Sequence, residues 1–236
     1  MIFPMYRYGQ YCPIARAAEL LADRWTVLIV RELLVNVHGF NDLERGLPGI
    51  SRPLLSERLR RLVHGGVLER RAAGRGRRVE YRLTPAGREL RRVISALGAW
   101  GVQWAFGEPR LNELDPTILL WWMRRRVCVD SIPRRRVVIQ FDFHGTAKRT
   151  YWLVMEPAET SICLKHPGLE IDLIVKADVA AMYDVWFGRA TLPEAVRKRE
   201  IRLQGTPAVV GAFPRWFAWS PLADKVRATF RQEARG

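Results

Sequence analysis

Apolar residues recur at helical spacing through the first third of the chain. Ile14, Ala17, Ala18 and Leu21 mark one helix, and Trp25, Leu28, Ile29 and Leu33 a second, with Asp23 placed to cap it. Gly39 breaks the period, and residues 40–45 form a short helix stopped by Gly46 and the turn Leu47-Pro48-Gly49. Residues 50–62 predict a further helix with Ser51 as N-cap and Pro53 in its first turn, where no N–H is required. Leu55, Leu59 and Leu62 stack on one face, which leaves Pro53, Ser56, Glu57, Arg60 and Arg61 on the other. Gly65-Gly66 ends it. Two β-like runs, 67–71 and 79–83, flank a glycine-bearing basic tip that carries Arg75, Arg77 and Arg78. Thr84 and Pro85 then open a long helix striped with Leu90, Val93, Ile94, Leu97, Trp100 and Trp104.

Beyond residue 118 the period changes. Val137, Ile139, Phe141 and Phe143 alternate with Val138, Gln140 and Asp142, the signature of a half-buried strand. Residues 150–155, 161–165 and 169–175 read as further strands separated by short turns, which predicts an antiparallel meander. Residues 177–187, 192–197 and 207–217 read as helices, with a strand at 200–204. The polar segment 107–117, with Gly107, Pro109 and Pro116, is the expected linker. The expectation is therefore an α+β protein of two domains: residues 1–107, a winged helix-turn-helix, and residues 118–220, an antiparallel sheet with helices.

Composition narrows the choice of partner. The 236 residues include 39 Lys+Arg against 24 Asp+Glu, a net charge of +15, with 48% hydrophobic residues, enough for a core. The first 107 residues hold 18 arginines, no lysine and 9 acidic residues. Such a charge favours a polyanionic partner without saying which; planar guanidinium groups suit phosphates and guanine edges, and it is the helix-turn-helix order that makes double-stranded DNA the expected partner. No apolar run approaches the roughly 18 residues of a membrane span, and Arg7 and Arg16 interrupt any leader-like stretch, so a cytoplasmic protein without a membrane partner is expected. Cys12, Cys128 and Cys163 are odd in number and widely spaced, which argues against a disulfide framework.

The order helix, short helix, tight turn, basic-faced helix, basic hairpin carries a specific resemblance. Tyr11-Cys12-Pro13-Ile14-Ala15, Asp23-Arg24-Trp25-Thr26, Arg31-Glu32-Leu33-Leu34, Phe40-Asn41-Asp42-Leu43 and Leu47-Pro48-Gly49-Ile50-Ser51 occur in that order. Leu55-Ser56-Glu57-Arg58-Leu59, Gly66-Val67-Leu68-Glu69-Arg70, Val79-Glu80-Tyr81-Arg82-Leu83-Thr84 and Gly87 follow. Over residues 6–106 this resembles the HxlR-type winged-helix transcriptional regulators. The resemblance implies a homodimer on a pseudo-palindromic operator. It places Arg52, Pro53, Ser56, Glu57, Arg60 and Arg61 on the recognition helix, and Arg75, Arg77 and Arg78 on the wing. It also implies dimerisation through the first and last helices of the domain, including Leu97, Trp100 and Trp104. Some such regulators sense oxidants or electrophiles through a cysteine at the position of Cys12. A thiol-switch reading of Cys12, with Arg16 one turn on, therefore stands beside the ligand reading.

Residues 118–218 resemble sterol-carrier-protein-like domains. The resemblance rests on Ile139-Gln140-Phe141-Asp142-Phe143, Tyr151-Trp152-Leu153-Val154, His166 to Leu173, Asp178, Trp186, Gly188 and Ile201 to Thr206. It implies an apolar small molecule or lipid held between sheet and helices, and lipid transfer as an alternative function. Trp122, Phe141, Phe143, Trp152, Met182, Trp186 and Phe213 are the expected lining, an aromatic set that equally suits a filled core.

No cofactor, metal site or enzymatic activity is expected. Cys163 and His166 have ligand spacing but no second pair. Walker, Rossmann and Gly-x-Ser-x-Gly patterns are absent, and the carboxylates Asp142, Asp172 and Asp178 lack a histidine partner at a recognisable spacing.

Overall fold

The computed structural model describes residues 8–35, 37–73 and 78–233, with the side chains of Ala73, Arg78 and Glu233 left out. The chain divides into two compact units, Met1–Leu97 and Gly98–Gly236. The division falls inside a helix, ten residues before the expected linker. Segment 107–117 is itself partly ordered, with a 3-10 turn at Leu111–Glu113.

The N-terminal unit contains α1 (Pro13–Leu21), α2 (Thr26–Leu34), α3 (Phe40–Gly46), α4 (Arg52–His64), β1 (Leu68–Ala73), β2 (Arg78–Leu83) and the start of α5 (Pro85–Trp104). The leucine spine of α4, Leu55, Leu59 and Leu62, is fully buried with Ile29, Leu33, Leu43 and Leu47. The turn between α3 and α4 needs Gly49, whose φ is +87°. Gly87 is required for a different reason: a Cβ there would lie 2.2 Å from the Val67 carbonyl oxygen, so the first turn of α5 closes onto β1's approach only without a side chain. The antiparallel pair β1–β2 runs from Leu68 opposite Leu83 to Ala73 opposite Arg78.

Two local expectations change. Asp23 does not cap α2; Trp25 occupies the N-cap position without a side-chain bond, and the Asp23 carboxylate turns to arginines of α4. The apolar period of α1 does not face the unit's core: Ala15 is buried, whereas Ile14 is 80% exposed.

The C-terminal unit holds α6 (Pro116–Arg124), β3 (Val137–His144), β4 (Arg149–Met155), β5 (Thr160–Cys163), β6 (Leu173–Asp178), α7 (Val179–Phe187), α8 (Leu192–Arg197), β7 (Ile201–Gly205), α9 (Pro207–Ala212) and α10 (Ala223–Glu233). Its five strands lie in the order β5-β4-β3-β6-β7. The meander is real for β3, β4 and β5, but β6 returns parallel to β3, with Ile139 opposite Leu173. A short hairpin can give only antiparallel neighbours, so the parallel pair needs the long return between Cys163 and Leu173. Asp172 pins the end of that return: its backbone N–H donates to the Val138 carbonyl and its carboxylate accepts from the Val138 N–H at 2.8 Å. The helix expected over 207–217 stops at Ala212 and continues as a 3-10 turn, Phe213–Trp216, which contains Pro214.

The alternation in β3 behaves as its pattern requires. Ile139, Phe141 and Phe143 face one core together with Tyr151, Leu153, Leu173, Val175, Met182, Trp186 and Phe213. The opposite face carries Gln140, Asp142, Thr150 and Trp152, linked by hydrogen bonds from Trp152 Nε1 to Gln140 Oε1 (3.1 Å) and from Thr150 Oγ1 to Asp142 Oδ1 (2.9 Å).

Candidate nucleic-acid interface

Helix α4 is positioned from its first residue. The Ser51 hydroxyl accepts from the Leu54 N–H at 3.4 Å, and Pro53 sits in the first turn. With three leucines buried beneath, the outward face presents exposed Arg52, Pro53 and Arg60 and the half-buried Ser56 and Glu57. Arg52 is held from α3: it pairs with Glu44, donates to Asn41 Oδ1 at 3.2 Å, and lies over the Phe40 ring at 4.9 Å. Its guanidinium is thereby oriented at the N-terminal end of α4. Arg60 is exposed, and its Nε donates to the Ser56 carbonyl at 3.4 Å.

Arg61 is placed differently from the expectation of an outward DNA contact. It donates to Asp23 at 2.7 Å and lies 3.9 Å from Glu57, with only 20% of its side chain exposed. Arg58 joins the same cluster, 3.0 Å from Glu57 and 3.4 Å from Asp23. The two arginines thus brace α4 to the start of α2, and sequence reasoning missed Arg58 and Asp23 because their partnership spans more than thirty residues.

On the hairpin, Arg71 pairs with Glu69 at 2.7 Å and Arg82 with Glu80 at 2.9 Å, while Arg70 is exposed. Arg75 and Arg77 lie outside the described residues; Arg78 opens β2, but its side chain is outside them as well. Cys12 is the N-cap residue of α1, partly exposed, with an extended backbone. The cation expected to act on it is engaged elsewhere, since Arg16 pairs with Glu19 at 3.4 Å.

The expected ligand lining does not form one site. Phe141, Phe143, Met182, Trp186 and Phe213 are buried core: Phe141 stacks on Phe143 at 5.8 Å and meets Phe213 at 6.4 Å. Trp152 is on the opposite, polar face of the sheet, 5.4 Å from the ring of His166. Trp122 of that set lines a cavity of about 520 Å³, to which the other six do not contribute. Among the described residues no group of three or more His, Cys, Asp or Glu side chains is placed to hold a metal, and no helix is long and apolar enough to cross a membrane.

A capped, leucine-backed helix set by a tight turn against a shorter helix, followed by a two-stranded hairpin, defines a winged helix-turn-helix. The family model of HxlR-like helix-turn-helix proteins matches residues 20–109. The uncharacterised HTH-type transcriptional regulator YvaP of Bacillus subtilis is 35% identical over 113 residues, which covers 47% of this chain and 96% of its own. A counterpart in Synechocystis, sll1512, is 36% identical over 102 residues, 43% of this chain and 76% of its own. The chain belongs to the HxlR-like helix-turn-helix family. The Mycobacterium bovis regulator Mb3122 is 48% identical over 89 residues, 37% of this chain. The chain spans 56% of that relative's length. Among solved structures, the reduced form of the transcriptional regulator YodB from B. subtilis is 31% identical, covering 41% of this chain and 96% of its own, with a TM-score of 0.36.

Proposed function

We propose that the protein is a DNA-binding transcriptional regulator that acts as a homodimer on an operator of approximate two-fold symmetry. The observation that carries this reading is α4 itself. Its buried leucine spine and the bracing of its inward arginines by Asp23 leave Arg52 and Ser56 facing outward from the N-terminal half of the helix, the part that meets base edges in a helix-turn-helix, with Arg60 exposed one turn further on. Homodimerisation is supported by apolar exposure on the first and last helices of the fold. Ile14 on α1 is 80% exposed, and Trp100 and Trp104 on α5 are 59% and 71% exposed, with Val93 and Leu97 on the same stripe. A lone chain does not leave such a stripe in water without cost.

Selection from a pool of random duplexes tests both parts. The reading expects an enriched site with two symmetric half-sites about one helical turn apart, bound by a dimer in sedimentation. A single asymmetric half-site bound by a monomer overturns the dimer, and no enrichment overturns operator recognition.

The C-terminal unit is read as a sterol-carrier-protein-like sensor of a small molecule. A sheet with one core-facing side, covered by helices of the same core, supports that reading. Regulation then follows from linkage: a ligand that favours one geometry of α5 changes operator affinity by its differential affinity for the two states. The part-exposed Cys12 at the start of α1, beside exposed Tyr11 and Ile14, supports a second reading as a thiol switch, in which Cys12→Ser abolishes an oxidant response.

A further inference from the structure

The cavity of about 520 Å³ lies wholly within the C-terminal unit. Trp122 on α6 and Tyr183 and Phe187 on α7 line it, and Phe106, from the segment that follows α5, joins them. The rings pack edge to face, with Phe106 5.2 Å from Phe187 and Trp122 5.8 Å from Phe187 and 6.1 Å from Tyr183.

Most polar groups around this cavity are already used. The Tyr183 hydroxyl donates to the Asp115 carbonyl at 2.9 Å, and Glu113 accepts from the Arg110 N–H at 2.8 Å. Arg189 is almost fully committed: it pairs with Glu108 at 2.9 Å, donates to the Phe106 and Gly107 carbonyls, and lies over the rings of Phe106 and Phe230. The guanidinium of Arg110 is exposed to water.

Asp184 stands apart. Its residue lines the cavity and is partly buried, yet among the described residues its carboxylate has no hydrogen bond and no ion pair. Burial lifts its pKa above the ordinary carboxylate value; Arg189 and Lys198 pull the other way, and Glu108 and Glu200 add to the rise. A desolvated carboxylate with no hydrogen bond or ion pair costs free energy, a cost that a bound counter-charge would offset. Aromatic faces carry negative potential and attract cations in the same way.

We infer that this cavity binds an organic cation, an amine or quaternary ammonium on an aromatic or alkyl body, with its charge at Asp184 and its body among Trp122, Tyr183 and Phe187. The inference rests on the reading of the C-terminal unit as a small-molecule sensor and replaces an apolar ligand with a cationic one. It also supplies a route to α5. The wall residue Phe106 lies two residues beyond the end of that helix, and Arg189 holds the Phe106–Gly107 backbone, so an occupant acts on the segment that continues α5.

Calorimetric titration of the full-length protein without DNA tests this with three probes of one body: 4-phenylbutyltrimethylammonium, 4-phenylbutanol and 4-phenylbutyrate. The ammonium is expected to bind about tenfold more tightly than the alcohol, and the carboxylate most weakly. Asp184→Asn should weaken ammonium binding about tenfold and leave the alcohol unchanged. Should that variant fail to fold, Phe187→Leu serves instead and should narrow the ammonium-to-alcohol ratio. Equal or tighter binding of the alcohol or carboxylate, no binding of any probe, or an indifferent Asp184→Asn overturns the inference. Cation binding by a protein that selects no operator would leave this site standing and overturn the regulator reading instead.

Discussion

The two units use arginine in different ways. In the N-terminal unit arginines meet carboxylates: Arg31 with Glu32, Arg52 with Glu44, and Arg58 and Arg61 with Asp23 and Glu57. In the C-terminal unit several arginines instead tie loops together through backbone carbonyls. Arg124 donates to Thr160, Arg126 to Ala218 and Trp219, and Arg189 to Phe106 and Gly107. The difference shows that a net charge of +15 is not one polyanion-binding surface. In the first unit burial separates the arginines of α4: Arg52 and Arg60 are exposed, while Arg58 and Arg61 are largely buried against Asp23 and Glu57. The second unit carries three basic clusters, residues 124–126, 134–136 and 197–199; internal bonding engages members of the first two, since Arg135 and Arg136 also pair, with Asp172 and Glu156. The third, Arg197, Lys198 and Arg199, is exposed.

Substitution at the centre of one unit breaks the comparison most strongly. Phe141→Ala removes a fully buried ring from the sheet's core and should cost about 3–5 kcal/mol in chemical denaturation. If the units respond separately, the N-terminal transition stays put; one shared transition that shifts as a whole would contradict that separation. Asp23→Ala should cost about 1–2 kcal/mol, because it leaves Arg58 and Arg61 without their shared acceptor while Glu57 and partial solvent access soften the loss. An unchanged melting curve would mean that the bracing of α4 contributes nothing measurable.

The smallest effect has the opposite sign. Asp184 binds its proton more tightly in the fold than in the unfolded chain, so its contribution favours the fold below the ordinary carboxylate pKa and is lost as pH rises through the raised value. Asp184→Asn should therefore raise stability at pH 7 by less than about 1 kcal/mol, since the group is part exposed, and flatten the pH dependence across that window. Destabilisation at pH 7 would show that the carboxylate serves the fold rather than a ligand.

What was legible in the sequence was local. Ser51 as a cap, the leucine spine of α4, helix 192–197 and the alternation of β3 all follow from neighbours within a few residues. What was not legible required a partner far along the chain. Asp23 reads as a cap until Arg61 takes it from 38 residues away. The β3–β6 pairing is parallel because a long return, and not a hairpin, joins those strands. Trp152 is a case of its own: its alternation with Tyr151 and Leu153 places it on the polar face, whereas the expected lining counts it with the aromatic residues of the opposite face. The Asp184 cavity gathers residues from the segment after α5, from α6 and from α7, and no short motif signals it.

The central claim is that α4 reads DNA through its outward residues while its inward arginines hold it in place. Equilibrium affinities of wild type and Arg60→Ala for the selected operator and for a scrambled duplex, at one fixed salt concentration, test it most directly. The account predicts that Arg60→Ala loses about tenfold or more on the operator, far less on the scrambled duplex, and melts like wild type. Equal losses on both duplexes, or no loss on the operator, would contradict it.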